Sequence, residues 1–272
     1  MPSSPRGGLP ETRVVFLGLI AASAGFLSVF AANDLYDRHA DLHEGTLARD
    51  ASSQDEGFDL DVVAVRHPLA AGILSLPMGV AWVAGWEIIG LAAAYVLNPV
   101  CAGLFLVCNA LEYLYCRLRY RSWLKAIPAG VMVGLGGLAG WLAVADISAG
   151  ALTFFALLTV WEITGRNLSN DLADAKTDRH LGIATLATTH GPQTSIRWIF
   201  AGALVMPALA AIQPGGPLLR LSLAAAAIVL MTVPAWRLMR AQSVSLALPY
   251  FNRASLFPVI GLVAALLTPS LT

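Results

Sequence analysis

The feature that most constrains this chain is a series of unbroken apolar runs, near residues 14–32, 73–97, 99–116, 126–145, 148–166, 194–213, 216–236 and 254–270. Runs of about 20 residues let a helix rising about 1.5 Å per residue cross roughly 30 Å of hydrocarbon. So many of them in 272 residues cannot be hidden in one soluble core, and only 12% of the chain is charged, about half the usual share of a soluble domain. Barrel strands would alternate polar and apolar positions, and these runs do not. The expectation is an all-α fold: a polytopic transmembrane helical bundle of about eight helices in two related halves, forming one domain over residues 1–272. Asn98-Pro99 turns a hairpin within 72–118, and Asp146 to Gly150 turns another within 126–166.

Charge decides orientation, not partner class. Lys and Arg total 17 and so do Asp and Glu, so no overall basic field argues for nucleic acid. If the N-terminus lies outside, 14 basic residues fall on inner loops and only Arg6, Arg13 and Arg220 face outward. That asymmetry satisfies the positive-inside rule and predicts an integral protein of the cell's inner or plasma membrane with its charged loops cytoplasmic. The first 13 residues lead into an apolar run with no small-residue cleavage site behind it, so they do not read as a signal peptide. Cys101, Cys108 and Cys116 lack CxxC spacing and read as small core side chains.

One nine-residue pattern occurs twice. Asn33-Asp34-Leu35-Tyr36-Asp37-Arg38-His39-Ala40-Asp41 and Asn170-Asp171-Leu172-Ala173-Asp174-Ala175-Lys176-Thr177-Asp178 both read NDLxDxxxD, each at the inner end of an apolar run. Equivalent placement in two halves points to a site at their interface. A helical continuation stacks residues 33, 37 and 41, and likewise 167, 171, 174 and 178, about one turn apart, so that several carboxylates share a face. Such a face is unfavourable unless a cation neutralises it. Oxygen-only donors select a hard ion, and Mg²⁺ fits best because it takes one or two carboxylates and shares the rest of its shell with phosphate oxygens and water.

These motifs resemble the paired aspartate-rich motifs of the UbiA superfamily of intramembrane prenyltransferases, and the resemblance covers residues 14 to about 270. Arg66-His67-Pro68-Leu69-Ala70-Ala71-Gly72 is similar to the family's R-P-L-x-x-G segment, Tyr120-Arg121-Ser122-Trp123-Leu124-Lys125 to its Y-x-x-x-L-K segment, and Gly182-Ile183-Ala184-Thr185-Leu186 to its G-I-x-T-L segment. The resemblance implies Mg²⁺-dependent transfer of a prenyl group from an allylic prenyl diphosphate to an acceptor, most commonly a small aromatic one, within the bilayer. Asp34, Asp37, Asp41, Asp171, Asp174 and Asp178 would be catalytic as metal ligands, and Asn33, Arg66, Lys125 and Asn170 would bind the diphosphate. A membrane terpene cyclase using the same ionisation, and a cation-coupled transporter with a site between its repeats, are the rival readings. The chain departs from the family pattern in three ways. The family usually has nine helices, whereas the 32 residues before Asn33 supply one span, so either the usual first helix is missing or the true start lies upstream. Ala126 follows Lys125 where an Arg is common, which leaves one phosphate contact to Arg117, Arg119 or Arg121. Residues 42–65 form a long acidic cytoplasmic loop, too poor in apolar groups to pack, and are expected to be a mobile lid or disordered.

Glu87, Glu112 and Glu162 lie within spans, where an ionisable group needs a reason. Glu162 precedes Arg166 by one helical turn, which predicts either an ion pair or a substrate contact. Glu112 is a candidate proton acceptor, and Glu87 is expected to find a partner on a neighbouring helix. His39 and His43 lack a third soft ligand nearby and read as solvated loop residues instead of a zinc pair. Gly130, Gly134, Gly136, Gly137 and Gly140 mark close helix packing. Aromatic residues such as Trp82, Trp86, Phe105, Trp141, Phe154, Phe155 and Trp161 are available to wall an isoprenoid chamber, but most aromatics in a membrane bundle pack or belt the interface, so none is assigned to the site.

Overall fold

A computed structural model describes residues 10–50, 68–69 and 72–267, with 39–50 described in backbone alone. Every regular element among them is helical. In chain order these are α1 (Thr12–Asp50), α2 (Leu76–Leu97), α3 (Pro99–Leu118), α4 (Ala126–Leu142), α5 (Ala149–Val160), α6 (Leu168–Ala173), α7 (Ala175–Leu181), α8 (Leu186–His190), α9 (Pro192–Ala211), α10 (Pro217–Ala227), α11 (Val233–Ala241), α12 (Ala247–Ser255) and α13 (Phe257–Leu267). Among the described residues seven segments are each long and apolar enough to cross a bilayer: Thr12–Arg38, Leu76–Leu97, Pro99–Leu118, Trp123–Leu142, Pro192–Ala211, Pro217–Ala241 and Val244–Leu267.

The eighth expected run, 148–166, is helical but not one even helix. It is α5 followed by a π-helical turn, Trp161–Asn167, which hands over to α6 and the second acidic motif. The turn contains Gly165, and Thr164 and Ser169 send their hydroxyls back to the Val160 and Gly165 carbonyls at 2.8 and 2.7 Å. Back-bonding of this kind competes with the regular ladder. A π turn widens the helix by one residue and so resets which face the following residues present. A second π turn, Ile228–Thr232, joins α10 to α11.

Local chemistry starts and stops these helices. The Asn98 side chain caps α3 by accepting from the Val100 amide at 2.9 Å, and its Nδ2 donates to the Leu142 carbonyl at 3.2 Å, which ties the turn between α2 and α3 to the C-terminal end of α4. Ser148 caps α5, and Thr185 with Thr188 forms a reciprocal capping box on α8. Gly191 ends α8 with φ 88°, a conformation open to glycine, before Pro192 starts α9. The first acidic motif also sits on continuous helix, because α1 runs through Asp41 to Asp50. Residues 42–50 are therefore helical, and 51–65 of the expected loop lie outside the described residues.

The main core belongs to the second half, where Leu168, Leu172, Met206, Met231, Tyr250 and Phe257 are buried together. Glycine lets α4 approach α5 closely. A Cβ on Gly134 would fall 2.2 Å from Thr159 Oγ1 and 2.9 Å from the Phe155 carbonyl oxygen, whereas one on Gly136 would meet nothing within 4 Å. Because part of the obstacle is backbone, Gly134→Ala should destabilise the protein by roughly 1–3 kcal/mol. Gly136→Ala should be neutral or slightly stabilising. Thermal unfolding in detergent compares the two, and equal midpoints would refute the close-packing role of Gly134.

Candidate active site

The site is built where the C-terminal part of α1 meets the segment that follows the π turn. Asp34 accepts from the Leu69 amide at 3.2 Å, which holds the connection into α2 against the first motif. Asp37, one turn on, is 3% exposed and forms an ion pair with Arg119 at the end of α3. Tyr120 donates its hydroxyl to the other oxygen of Asp37 at 3.1 Å. Asn33 accepts from the Cys116 thiol at 3.2 Å.

The second motif is closed by Lys125, whose Nζ lies 2.7 Å from Asp171 Oδ1 and 5.4 Å from the centre of the Tyr115 ring. Both partners of the Lys125–Asp171 pair are buried. The second oxygen of Asp171 is buried without a hydrogen-bond partner. Asn170 donates to Asp174 at 3.1 Å, and Asp174 is exposed where α6 gives way to α7. Asp178 is buried on α7.

One residue ties the halves together. Arg119 holds Asp37 through its guanidinium, while its carbonyl accepts from the Ala184 amide, just after the second motif, at 2.9 Å. Helix α1 also packs directly against α7. Five of the aspartates expected from the sequence, and Lys125, are thus carried by segments that meet at one end of the bundle. Arg66 and the side chains of His39, Asp41 and His43 lie outside the described residues. Sequence reasoning left Arg119 as one of three alternatives and missed Tyr120 and Tyr115 as partners. The only signal for Arg119 is its spacing on α3, where positions 109, 112, 116 and 119 share a face.

The electrostatics favour an added cation. Burial, followed by the neighbouring charges of Asp171 and Asp174, pushes the Asp178 carboxyl up to about 7 from the ordinary 3.8, against the lowering influence of Lys125 and Arg119. Among the described residues no three carboxylate, imidazole or thiol side chains already converge as a closed metal cage. Lys125 and Arg119 instead occupy oxygens of Asp171 and Asp37. The donor set still fits Mg²⁺: the oxygens are hard, one of them is buried and unpartnered on Asp171, and burial with the neighbouring carboxylates raises Asp178, a condition that a cation would relieve. Of the span carboxylates, Glu162 does pair with Arg166 at 3.4 Å. Arg166 also donates to Ser255 at 3.0 Å and lies 4.9 Å from the Phe251 ring centre, so it anchors α12 beside the second motif. Glu87 finds its expected partner in Asn109, and Glu112 is buried and accepts from Cys116 at 3.4 Å.

Membrane-crossing helices that gather paired carboxylates, closed by basic side chains, at one end define an integral membrane protein with a charged site at the end of an apolar bundle. The chain belongs to the UbiA prenyltransferase family, whose model matches residues 5–257. Over 200 residues it is 28% identical to the digeranylgeranylglyceryl phosphate synthase of Methanoregula boonei, which covers 71% of this chain and 64% of that relative. The matched stretch therefore spans less than two thirds of that protein. Over 184 residues it is 30% identical to the digeranylgeranylglyceryl phosphate synthase of Methanopyrus kandleri, covering 64% of this chain and 67% of the other. A UbiA homolog from Archaeoglobus fulgidus, solved bound to GPP and Mg²⁺, shares the fold with a TM-score of 0.66 at 17% identity, over 93% of this chain and 88% of that one.

The raised Asp178 carboxyl gives a signed prediction. A group whose folded value lies above its ordinary value favours the folded state below that ordinary value and loses this contribution as pH rises through the folded value. The metal-free protein should therefore lose stability from this group between about pH 4 and 7, and Mg²⁺, which binds the ionised form, should restore it. Calorimetry in two buffers of different ionisation enthalpy should show proton release on Mg²⁺ binding near pH 6.5, reduced in Asp178→Asn. Proton release identical in the wild type and the variant would refute the assignment.

Proposed function

We propose that this protein ionises an allylic prenyl diphosphate and transfers the prenyl group to an acceptor within the bilayer. The observation that carries the reading is the meeting of two NDLxDxxxD motifs at one end of the bundle with Lys125 and Arg119 already on their carboxylates. The metal would be held by Asp34, Asp37, Asp41, Asp171, Asp174 and Asp178, with Asn33 and Asn170 adding oxygen ligands or hydrogen bonds. Bound Mg²⁺ supplies charge neutralisation for the leaving diphosphate. The structural relative solved with GPP and Mg²⁺ supports both ligands.

Lys125 and Arg119 are set to trade a carboxylate oxygen for a phosphate oxygen once the carboxylates have a metal to face, and Arg66 is a further phosphate contact in this reading. The allylic carbon–oxygen bond breaks with its electron pair leaving on the diphosphate. An electron pair of the acceptor closes the new bond, and the proton displaced from the acceptor passes to water at the mouth. The surrounding apolar helices keep water from the allylic cation. The charge asymmetry along the sequence supports a cytoplasmic mouth.

An aromatic acceptor is the reading that the family resemblance favours. A glyceryl phosphate ether lipid is the second, supported by the names of the two relatives. Product masses formed from geranyl or geranylgeranyl diphosphate with a phenol, with a glyceryl phosphate ether lipid, or with no acceptor separate these from cyclisation. In the same assay Asp174→Ala should lower turnover at least tenfold, about 1.4 kcal/mol in barrier, with an unchanged unfolding midpoint, because Asp174 is exposed. Asp37→Ala should lose activity and also stability, since it leaves the Arg119 guanidinium without its buried counter-charge. Arg240→Gln, on an inner turn against Trp236, should change neither. More than about a tenth of the activity surviving in both aspartate variants would overturn the metal assignment.

A further inference from the structure

A cavity of about 400 Å³ lies between α1, α2 and α3, directly beside the first motif. It is walled by Ala32 and Tyr36 of α1, which flank Asn33, and its polar lining is Glu87, Asn109, Glu112 and Cys116. Its volume is that of a small-molecule site. The polar groups form a descending series. Cys116 donates to Asn33 of the motif and to Glu112 one turn deeper, and near the middle of the two spans Asn109 donates to Glu87. Asn109, Glu112 and Cys116 occupy the same face of α3 as Arg119, so the polar stripe runs from the Asp37 ion pair to the depth of the bilayer centre.

Polar groups at that depth are costly where only lipid faces them. The cavity offers a reason for them. Tyr36 and Tyr113 on its lining are 41% and 64% exposed, so the cavity opens on the surface of the bundle beside two candidate spans. None of the lining residues among those described is Lys, Arg or His. What the lining presents is carboxyl oxygen from two helices, which hydroxyl or N–H hydrogens satisfy and a carboxylate or phosphate would repel.

We propose that this cavity seats the acceptor, and that it takes a neutral head group bearing hydroxyl hydrogens in preference to an anionic one. The inference rests on the prenyl-transfer reading above and adds the chemical class of the acceptor. A ligand entering from the membrane would bring its hydroxyl group along the stripe to the edge of Asn33 and Asp37, with its apolar part left toward lipid. Glu87 and Glu112 are then specificity-determining residues.

Two photoreactive probes with the same diazirine-bearing alkyl tail, one with a 1,2-diol head and one with a carboxylate head, test this in the full chain in phosphatidylcholine nanodiscs. The diol probe should label peptides of α1 to α3 at least fivefold more than the carboxylate probe. Ala32→Leu, which fills the cavity, should cut diol labelling at least fivefold. Glu87→Gln and Glu112→Gln, which keep size and replace one carboxyl oxygen by an N–H donor, should bring the two probes toward equal labelling in monodisperse protein. Equal labelling by both heads in the wild type, or diol labelling indifferent to Ala32→Leu, would overturn the proposal and leave the stripe as helix packing. Mg²⁺-dependent binding of geranyl diphosphate is measured alongside. Its absence from the wild type would sink the prenyl-transfer reading, whereas its persistence with unselective labelling sinks the acceptor site alone.

Discussion

The burial of carboxylates at the end of an apolar bundle is the constraint around which this structure is arranged. Asp37, Asp171 and Asp178 are each less than a tenth exposed. An uncompensated charge in such a place costs several kcal/mol, more than most single contacts return. Two answers are visible. Asp37 and Asp171 are paired with cations from another element, and Asp178, which receives less compensation, is pushed toward its neutral form. Arg119 and Lys125 are thus committed to Asp37 and Asp171, and Asp178 is still left raised. A site in that condition is stabilised by any hard cation that enters, so metal affinity and the stability of this end of the bundle are the same physical property.

The compensation also decides how the two halves are joined. Arg119 and Lys125 stand on either side of the short connection between α3 and α4, and each reaches a different motif. Through the Ala184 amide on its carbonyl, Arg119 further fixes the strand of chain that leaves the second motif. A shift of this connection would therefore move both carboxylate groups at once. The interior core supplies bulk stability in the second half, but the relative placement of the motifs depends on this polar hinge point between α3 and α4.

Much of this was legible in the sequence because it follows from periodicity and local chemistry. Apolar run length marks the spans, Asn98-Pro99 marks the turn between α2 and α3, and the repeated NDLxDxxxD marks the two acidic segments that meet. Lys125 was legible only through resemblance to a family segment. What was not legible depends on contacts between elements. The π turn at Trp161–Asn167 adds one residue to a helical turn without interrupting the apolar run, so 148–166 reads as one even helix. Arg119 and Tyr120 look like two members of an interfacial basic cluster until α1 is placed against α3. Glu87 and Asn109 lie on different helices, and no spacing rule links them.

The same tertiary view explains why the polar positions of the first half are not scattered. In a membrane bundle, apolar contact alone distinguishes poorly between one helix rotation and another, since lipid solvates the same side chains nearly as well. Hydrogen-bonded polar groups do distinguish, because a wrong rotation leaves them facing hydrocarbon. With Asn109, Glu112, Cys116 and Arg119 on one face, one rotation of α3 brings Asn109 onto Glu87 of α2, and Cys116 and Arg119 onto Asn33 and Asp37 of α1. The stripe therefore fixes the orientation of α3 that places Arg119 on Asp37. A polar surface required for ligand recognition and one required for helix registration coincide, and a substitution that removed the first would be felt in the second.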